Sequence, residues 1–251
     1  MSDAPATPQT VRVVERAIDI LHCFQGPQDS LTLQQIVERS GLQKATAFRI
    51  ATTLAHAGIL SQSGPGGAYM LGYLTLRMPN LIRSSNELRN TAWANLKEVG
   101  ALINETVVLV IRDGDDMINV DKVDSLHLID EMPVMGERRK LHLGAAGLAV
   151  LASLDAEAAS AYWRGQDATP DAELEAISAD AKQRGVLTLH PSAAPGRMRP
   201  YAQVAAPLIT SAGRIVGALS VTIPENRLSA KLLARCELHL KASADAIGSR
   251  L

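Results

Sequence analysis

LTLQQIVERSGLQKATAFRIATTLAHAG, residues 31–58, is the stretch on which the fold of the first part of the chain turns. Thr32 precedes an apolar set, Leu33, Ile36 and Val37, and Gln35 follows it three residues on. That is the pattern of an N-cap whose partner reaches back to it. Ser40-Gly41 ends this short helix. A second helix is predicted from about Lys44 to Ala57, stopped by Gly58. On it Ala47, Ile50, Ala51 and Leu54 recur at i, i+3, i+4 and i+7, so this stripe must face a core. Geometry then turns Lys44, Ala45, Phe48, Arg49 and Thr52 to the opposite side, with Gln43, Thr46 and Thr53 on its flanks. Two helices joined at a glycine, the second carrying cations near its start, have the layout of a helix-turn-helix whose second helix enters the major groove. Lys and Arg there suit phosphates or guanine edges, and Thr or Gln suits base edges. A plain helical hairpin fits the same periodicity.

Upstream, Val14, Ala17, Ile18 and Leu21 form an apolar stripe that predicts a first helix, ended by Gly26-Pro27; Arg12 and Arg16 on it are further candidates for DNA contact. Residues 1–9, with Pro5 and Pro8, read as a disordered leader. Downstream, residues 59–62 and 68–71 flank Ser63-Gly64-Pro65-Gly66-Gly67 and predict a glycine-tipped hairpin, the wing of a winged helix. The first domain is therefore expected over residues 10–72, followed by a linker helix over 73–85 that Pro79 kinks or breaks. The remainder, 86–251, changes rhythm. A helix at 86–104 leads to strands at 106–112 and 117–123 around Asp113-Gly114-Asp115-Asp116 and a third strand at 126–132. Helices then start near 144, 156 and 172, strands cover 186–189, 202–209 and 215–222, and a closing helix runs from about 227. Strands and helices mixed in this order imply an α+β fold. No internal repeat is visible.

Composition narrows the function. With 251 residues and 47% apolar content the chain can build two cores, which excludes a disordered protein. Lys and Arg number 25 against 26 Asp and Glu, a net charge of -1, so no global field draws the molecule to nucleic acid or an anionic membrane. Residues 1–78 hold six cations and five carboxylates. One such domain binds DNA weakly, and a specific site needs a homodimer, or two dimers as a tetramer. Only 3% aromatic residues argue against stacking on single strands. Cys23 and Cys236 form neither a disulfide framework nor a metal cluster. No apolar run approaches the roughly 20 residues of a membrane span, and the start is unlike a signal peptide, so a cytoplasmic location is expected. The six histidines lack metal spacing, there is no Gly-x-Ser-x-Gly elbow, and Gly64-Pro65-Gly66-Gly67 lacks the lysine of a phosphate loop. No catalytic residue, metal or cofactor is therefore expected. Two other classes stay open: an enzyme turning over a small organic acid in the second half, and a winged helix that contacts protein.

The residues also carry a resemblance. Val11-Arg12-Val13-Val14-Glu15-Arg16-Ala17-Ile18-Asp19-Ile20-Leu21, Leu31-Thr32-Leu33-Gln34-Gln35-Ile36, Gly41-Leu42-Gln43-Lys44-Ala45-Thr46-Ala47-Phe48-Arg49 and Tyr69-Met70-Leu71-Gly72 resemble the winged helix-turn-helix of the IclR family of bacterial transcriptional regulators. Leu141-His142-Leu143-Gly144-Ala145-Ala146-Gly147, Val204-Ala205-Ala206-Pro207-Leu208 and Gly217-Ala218-Leu219-Ser220-Val221-Thr222-Ile223-Pro224 resemble segments of its second half. The resemblance implies a DNA-binding domain, a linker helix and a GAF-like α/β effector domain, with a double-stranded operator and a small organic acid as partners. It places the acid's carboxylate at the backbone of Gly144, Ala145 and Ala146, where a helix start offers orphan N–H groups and a favourable dipole. Ser220 and Thr222, alternating on one strand, supply hydroxyls. A cysteine frequent in the family's pocket is Gln203 here, expected to read the far end of the ligand, and an acidic position falls near Leu189. These departures favour a larger or aromatic acid over the smallest ones.

Overall fold

The computed structural model describes residues 10–26, 29–78, 81, 87–126, 133–167, 169–191 and 200–251. The chain divides into two compact units, Met1–Ser85 and Asn86–Leu251.

The first unit contains α1 (Arg12–His22), α2 (Leu33–Ser40), α3 (Lys44–His56), the hairpin β1 (Leu60–Gln62) and β2 (Tyr69–Leu71), and a 3-10 turn, Tyr73–Arg77. The capping box forms as its spacing dictates: Thr32 Oγ1 accepts from Gln35 N–H at 3.3 Å, and Gln35 Oε1 accepts from Thr32 N–H at 2.9 Å. Gly41 caps α2 in the left-handed region, φ 67°, which sets the sharp turn into α3. Ala47, Ile50, Ala51 and Leu54 are all buried against Ile20, Ile36, Leu60 and Tyr69. The winged helix-turn-helix is thus present, with antiparallel pairing of Leu60 with Leu71 closing the wing.

On α1 the buried stripe is not the expected one. Val14 and Ile18 are 53% and 45% exposed, and Ile20 is fully buried, with Ala17, Leu21 and Phe24 packed beside it. Both sets obey helical spacing, because this helix is apolar on two faces. The Ala17/Ile20/Leu21/Phe24 face meets α2 and α3, and Val14/Ile18 is left outside. The expected linker helix begins as a 3-10 turn over Tyr73–Arg77, and Met78 and Leu81 are helical; Pro79, Asn80 and 82–85, like the leader, lie outside the described residues.

The second unit is built on one antiparallel sheet in the order β5-β4-β3-β8-β7-β6. Its strands are β3 (Val107–Asp113), β4 (Asp116–Val123), β5 (Arg138–Lys140), β6 (Leu187–Leu189), β7 (Tyr201–Ile209) and β8 (Ile215–Pro224). The side-chain period of two sorts each strand between two layers. Val107, Leu109, Val204, Ala206, Leu219, Val221 and Ile223 pack under α4 (Glu87–Ile103) and the last helix, α8 (Ala230–Gly248). Val108, Val110, Ala205 and Ala218 face the other way, towards α5 (Ala145–Ser153), α6 (Ala156–Arg164) and α7 (Ala172–Arg184). On the α4/α8 side Arg227 clamps the buried Glu105 with two hydrogen bonds, 3.0 and 2.6 Å, in the bidentate arrangement that suits a guanidinium to a carboxylate. Of the strand expected at 126–132, Leu126 is in no strand and 127–132 lie outside the described residues; the strand that pairs with β4 is Arg138–Lys140.

Candidate DNA-binding surface and ligand pocket

In the first unit the outward face of α3 presents Lys44, Ala45, Phe48 and Arg49 to solvent, with Thr46 and Thr52 half-buried. Phe48 is 50% exposed, an unusual position for a phenylalanine and one that leaves its ring available to a partner. Gln43 is the N-cap of α3 but makes no side-chain cap, so the first-turn N–H groups remain open beside Lys44. Arg12 and Arg16 on α1 converge with Gln43 and Thr46 around a concavity of about 470 Å³, shared with Glu15 and Asp19. Every residue singled out for DNA contact therefore lies on the α3 face or this adjoining hollow. Arg39, the remaining cation of the helix-turn-helix core, is committed to structure: it donates to the Cys23 carbonyl at 2.7 Å and pairs with Asp29 at 3.5 Å.

In the second unit a cavity of about 420 Å³ opens between the sheet and the start of α5. Its floor is the face of the sheet turned away from α4 and α8: Val108 and Val110 of β3, Ser220 and Thr222 of β8, and Tyr201 and Gln203 of β7. Register explains the grouping, since Val108 pairs with Ser220 and Thr222 with Gln203 across neighbouring strands. Met117 and Asn119 of β4 extend the wall, and Glu137, Arg139 and Lys140 stand at its edge.

Gly144, Ala145, Ala146 and Gly147 line the cavity from the helix side. Gly144 is the N-cap of α5 with φ 120° and ψ 168°, a backbone region open essentially to glycine alone. Gly147 is needed for a different reason, because a Cβ there would stand 2.0 Å from the Leu141 carbonyl oxygen. Ser220 is only 9% exposed, and no described residue hydrogen-bonds its hydroxyl. A hydroxyl that opens onto the cavity with no partner of the chain's own is a donor suited to a ligand.

Two expectations need correction. Leu189 is a core residue, fully buried among the α5–α7 packing and absent from the cavity lining; its place beside Gln203 in the β6/β7 ladder puts its side chain under the helices. Gln203 does line the cavity, but at the helix start and not at a far end: its Oε1 accepts from Ala145 N–H at 3.3 Å. Tyr201, Asn119, Arg139 and Lys140 were not anticipated. The run Arg138-Arg139-Lys140, just before the Leu141–Gly144 segment, was the available signal for positive charge near a carboxylate.

Electrostatically the pocket edge is cationic but largely matched. Lys140 pairs with Asp116 at 2.9 Å, which raises its pKa, and Arg139 pairs with Glu137 at 2.8 Å. Two residues before Gly144, the His142 ring nitrogen Nδ1 meets the Tyr162 hydroxyl at 2.7 Å, and burial lowers the His142 pKa below its ordinary 6.5. Among the described residues no group of three or more His, Cys, Asp or Glu could hold a metal, and no helix is long and apolar enough to cross a membrane. Cys236 is fully buried, and that burial pushes its thiol up to about 12, an inert state with no nucleophilic role.

Comparison with known proteins agrees with this geometry. The IclR helix-turn-helix domain matches residues 13–64, and the C-terminal domain of the bacterial transcriptional regulator IclR matches residues 82–178. The chain is 29% identical over 151 residues to the HTH-type transcriptional regulator KipR of Bacillus subtilis, a match covering 60% of each chain, so it spans about three-fifths of that relative's length. Its fold is that of a transcriptional regulator from Rhodococcus sp. RHA1, with a TM-score of 0.80 at 23% identity over 95% of this chain and 97% of that one. It is also that of an IclR homolog from Microbacterium hydrocarbonoxydans complexed with 4-hydroxybenzoate, with a TM-score of 0.75 at 20% identity over 94% and 97% of the two chains. With α3 inside one family domain and the α5 helix start inside the other, in order along one sequence, the protein belongs to the IclR family.

Proposed function

We propose that this protein is a cytoplasmic, ligand-responsive transcriptional regulator that reads a double-stranded operator through α3 and answers to a small organic acid bound in the second unit. The observation that carries the reading is the pocket: a glycine-positioned helix start and the Ser220 hydroxyl, which has no partner among the described residues, line one cavity of about 420 Å³. A buried carboxylate needs several donors and a favourable dipole to offset its desolvation, and this arrangement supplies both. The apolar floor of Val108 and Val110 with Met117 suits an aromatic ring behind the carboxylate, with Asn119 and Thr222 available to a ring hydroxyl. The Microbacterium relative's 4-hydroxybenzoate favours this ligand class.

The DNA side rests on the exposed Lys44, Phe48 and Arg49, with Arg12, Arg16, Gln43 and Thr46 beside them. The near-neutral charge of this unit calls for two copies per operator. The outward apolar residues Val14 and Ile18 of α1 and Val11 just before it, with Leu76 and Leu81 beyond the wing, offer surface for a homodimer or a pair of dimers.

Anisotropy with promoter DNA, titrated with salt, tests the first half. Affinity should fall linearly with log salt, and Arg49→Ala should lower it by about 1–3 kcal/mol without unfolding the protein. Calorimetry with aromatic acids tests the second: Ser220→Ala should weaken binding by about 1–3 kcal/mol while leaving operator affinity unchanged. DNA binding indifferent to Arg49, or acid binding indifferent to Ser220, would sink the corresponding half.

A further inference from the structure

Gln203 is an acceptor of the chain's own, standing on the donor that the acid reading assigns to the ligand. Gly144, the N-cap of α5, has no side chain with which to cap the helix, and the cap comes instead from β7, where Gln203 Oε1 accepts from Ala145 N–H at 3.3 Å. The same cavity is lined by Ser220, a residue nine-tenths buried whose hydroxyl has no partner among the described residues, so Gln203 satisfies one donor and leaves the other unmatched. An amide offers one neutral oxygen; a carboxylate offers two charged ones, able to take the N–H and the hydroxyl together.

We propose that Gln203 is an internal competitor of the effector: its amide oxygen holds the start of α5, and an acid binds only by taking the Ala145 N–H from it. The proposal rests on the reading of this pocket as an acid site. Gln203 thereby sets a threshold. A neutral ligand exchanges one ordinary hydrogen bond for another and gains little, whereas a carboxylate gains the charge-assisted pair. Every acceptor entering the site is weakened by the same competition, so the protein responds at higher acid concentrations than its donors alone would permit.

The test is calorimetry on the full chain with acetate, benzoate and 4-hydroxybenzoate as probes. Gln203→Met keeps length and volume but removes the amide oxygen. It should tighten binding of the acids that wild type accepts by about three- to tenfold. Gln203→Glu, with a fixed negative charge on the donor, should weaken it at least about tenfold. The Ala145 amide resonance gives a readout without any probe and should move in Gln203→Met. Unchanged or weaker binding by Gln203→Met while Ser220→Ala still impairs binding overturns the competitor role and leaves the pocket standing, as does an unmoved Ala145 resonance. If none of the three acids binds wild type or Gln203→Met, or if Ser220→Ala binds as wild type does, the acid-site reading fails and the competitor falls with it.

Discussion

Replacing Gly144 by alanine separates the two services the start of α5 performs. A Cβ built on Gly144 meets only Gln203 Oε1, at 3.5 Å, so the site has room for it and steric overlap does not decide the outcome. Conformation does. At φ 120° and ψ 168° an L-residue is held in a region that costs on the order of 1–3 kcal/mol. If the backbone stays, the second unit carries that strain, and Tm should fall by about 2–12 °C at the 2–4 °C per kcal/mol typical of this size. If the backbone relaxes instead, the strain disappears but the Ala145 and Ala146 N–H groups swing off the cavity, and acid binding is lost. Scanning calorimetry and ligand titration on the same preparation should therefore show a loss in at least one column. Operator affinity, which depends on the other unit, should hold at wild type. Gly147→Ala is the contrast, because its Cβ would lie 2.0 Å from the Leu141 carbonyl oxygen and the backbone there must shift; its Tm should fall further. A Gly144→Ala protein with wild-type Tm and wild-type acid binding would refute the claim that this glycine aims the donors.

The corrected face of α1 predicts that Ile20→Ala costs about 2–5 kcal/mol in urea unfolding and Val14→Ala well under about 1 kcal/mol; equal losses would restore the Val14 stripe. His142, held neutral by burial, should titrate below 6.5 by NMR. Because its folded pKa is depressed, its contribution to stability is fully present above the ordinary 6.5 and is lost as pH falls through the folded pKa; a midpoint above 6.5 would contradict this. Cys236 behaves oppositely, its folded pKa being raised to about 12. Its contribution is intact below the ordinary thiol value and lost as pH rises towards 12, and a thiol reagent at pH 8 should label it only on unfolding. Fast labelling of the folded chain would refute its burial.

What the sequence disclosed follows the range of the interactions. The capping box Thr32/Gln35, the Gly41 turn and the Ala47/Ile50/Ala51/Leu54 stripe are settled within a few residues, and all were legible. Ser220 and Thr222 were legible as same-face neighbours for the same reason. The face of α1 was not, because two stripes of equal spacing compete and only the packing of α2 and α3 chooses between them. Nor were the contributions of β4 and β5: Arg138–Lys140 is three basic residues with no apolar alternation, and it becomes a strand only through pairing with Asp116–Ile118. Gln203 lines the cavity, but its hydrogen bond to the Ala145 N–H was not legible, since a contact spanning 58 residues leaves no local trace.

β8 lends one row of side chains, Leu219, Val221 and Ile223, to the layer under α4 and α8, and the alternate row, Ser220 and Thr222, to the cavity. The two rows are independent in composition and inseparable in register. Point changes on the even-numbered positions can retune what the pocket accepts while the odd-numbered positions keep the unit folded. A single inserted or deleted residue within the strand, by contrast, would turn hydroxyls into the core and leucine into the pocket at once. New ligand preferences in a sheet of this kind are therefore reachable by substitution and closed to changes of length.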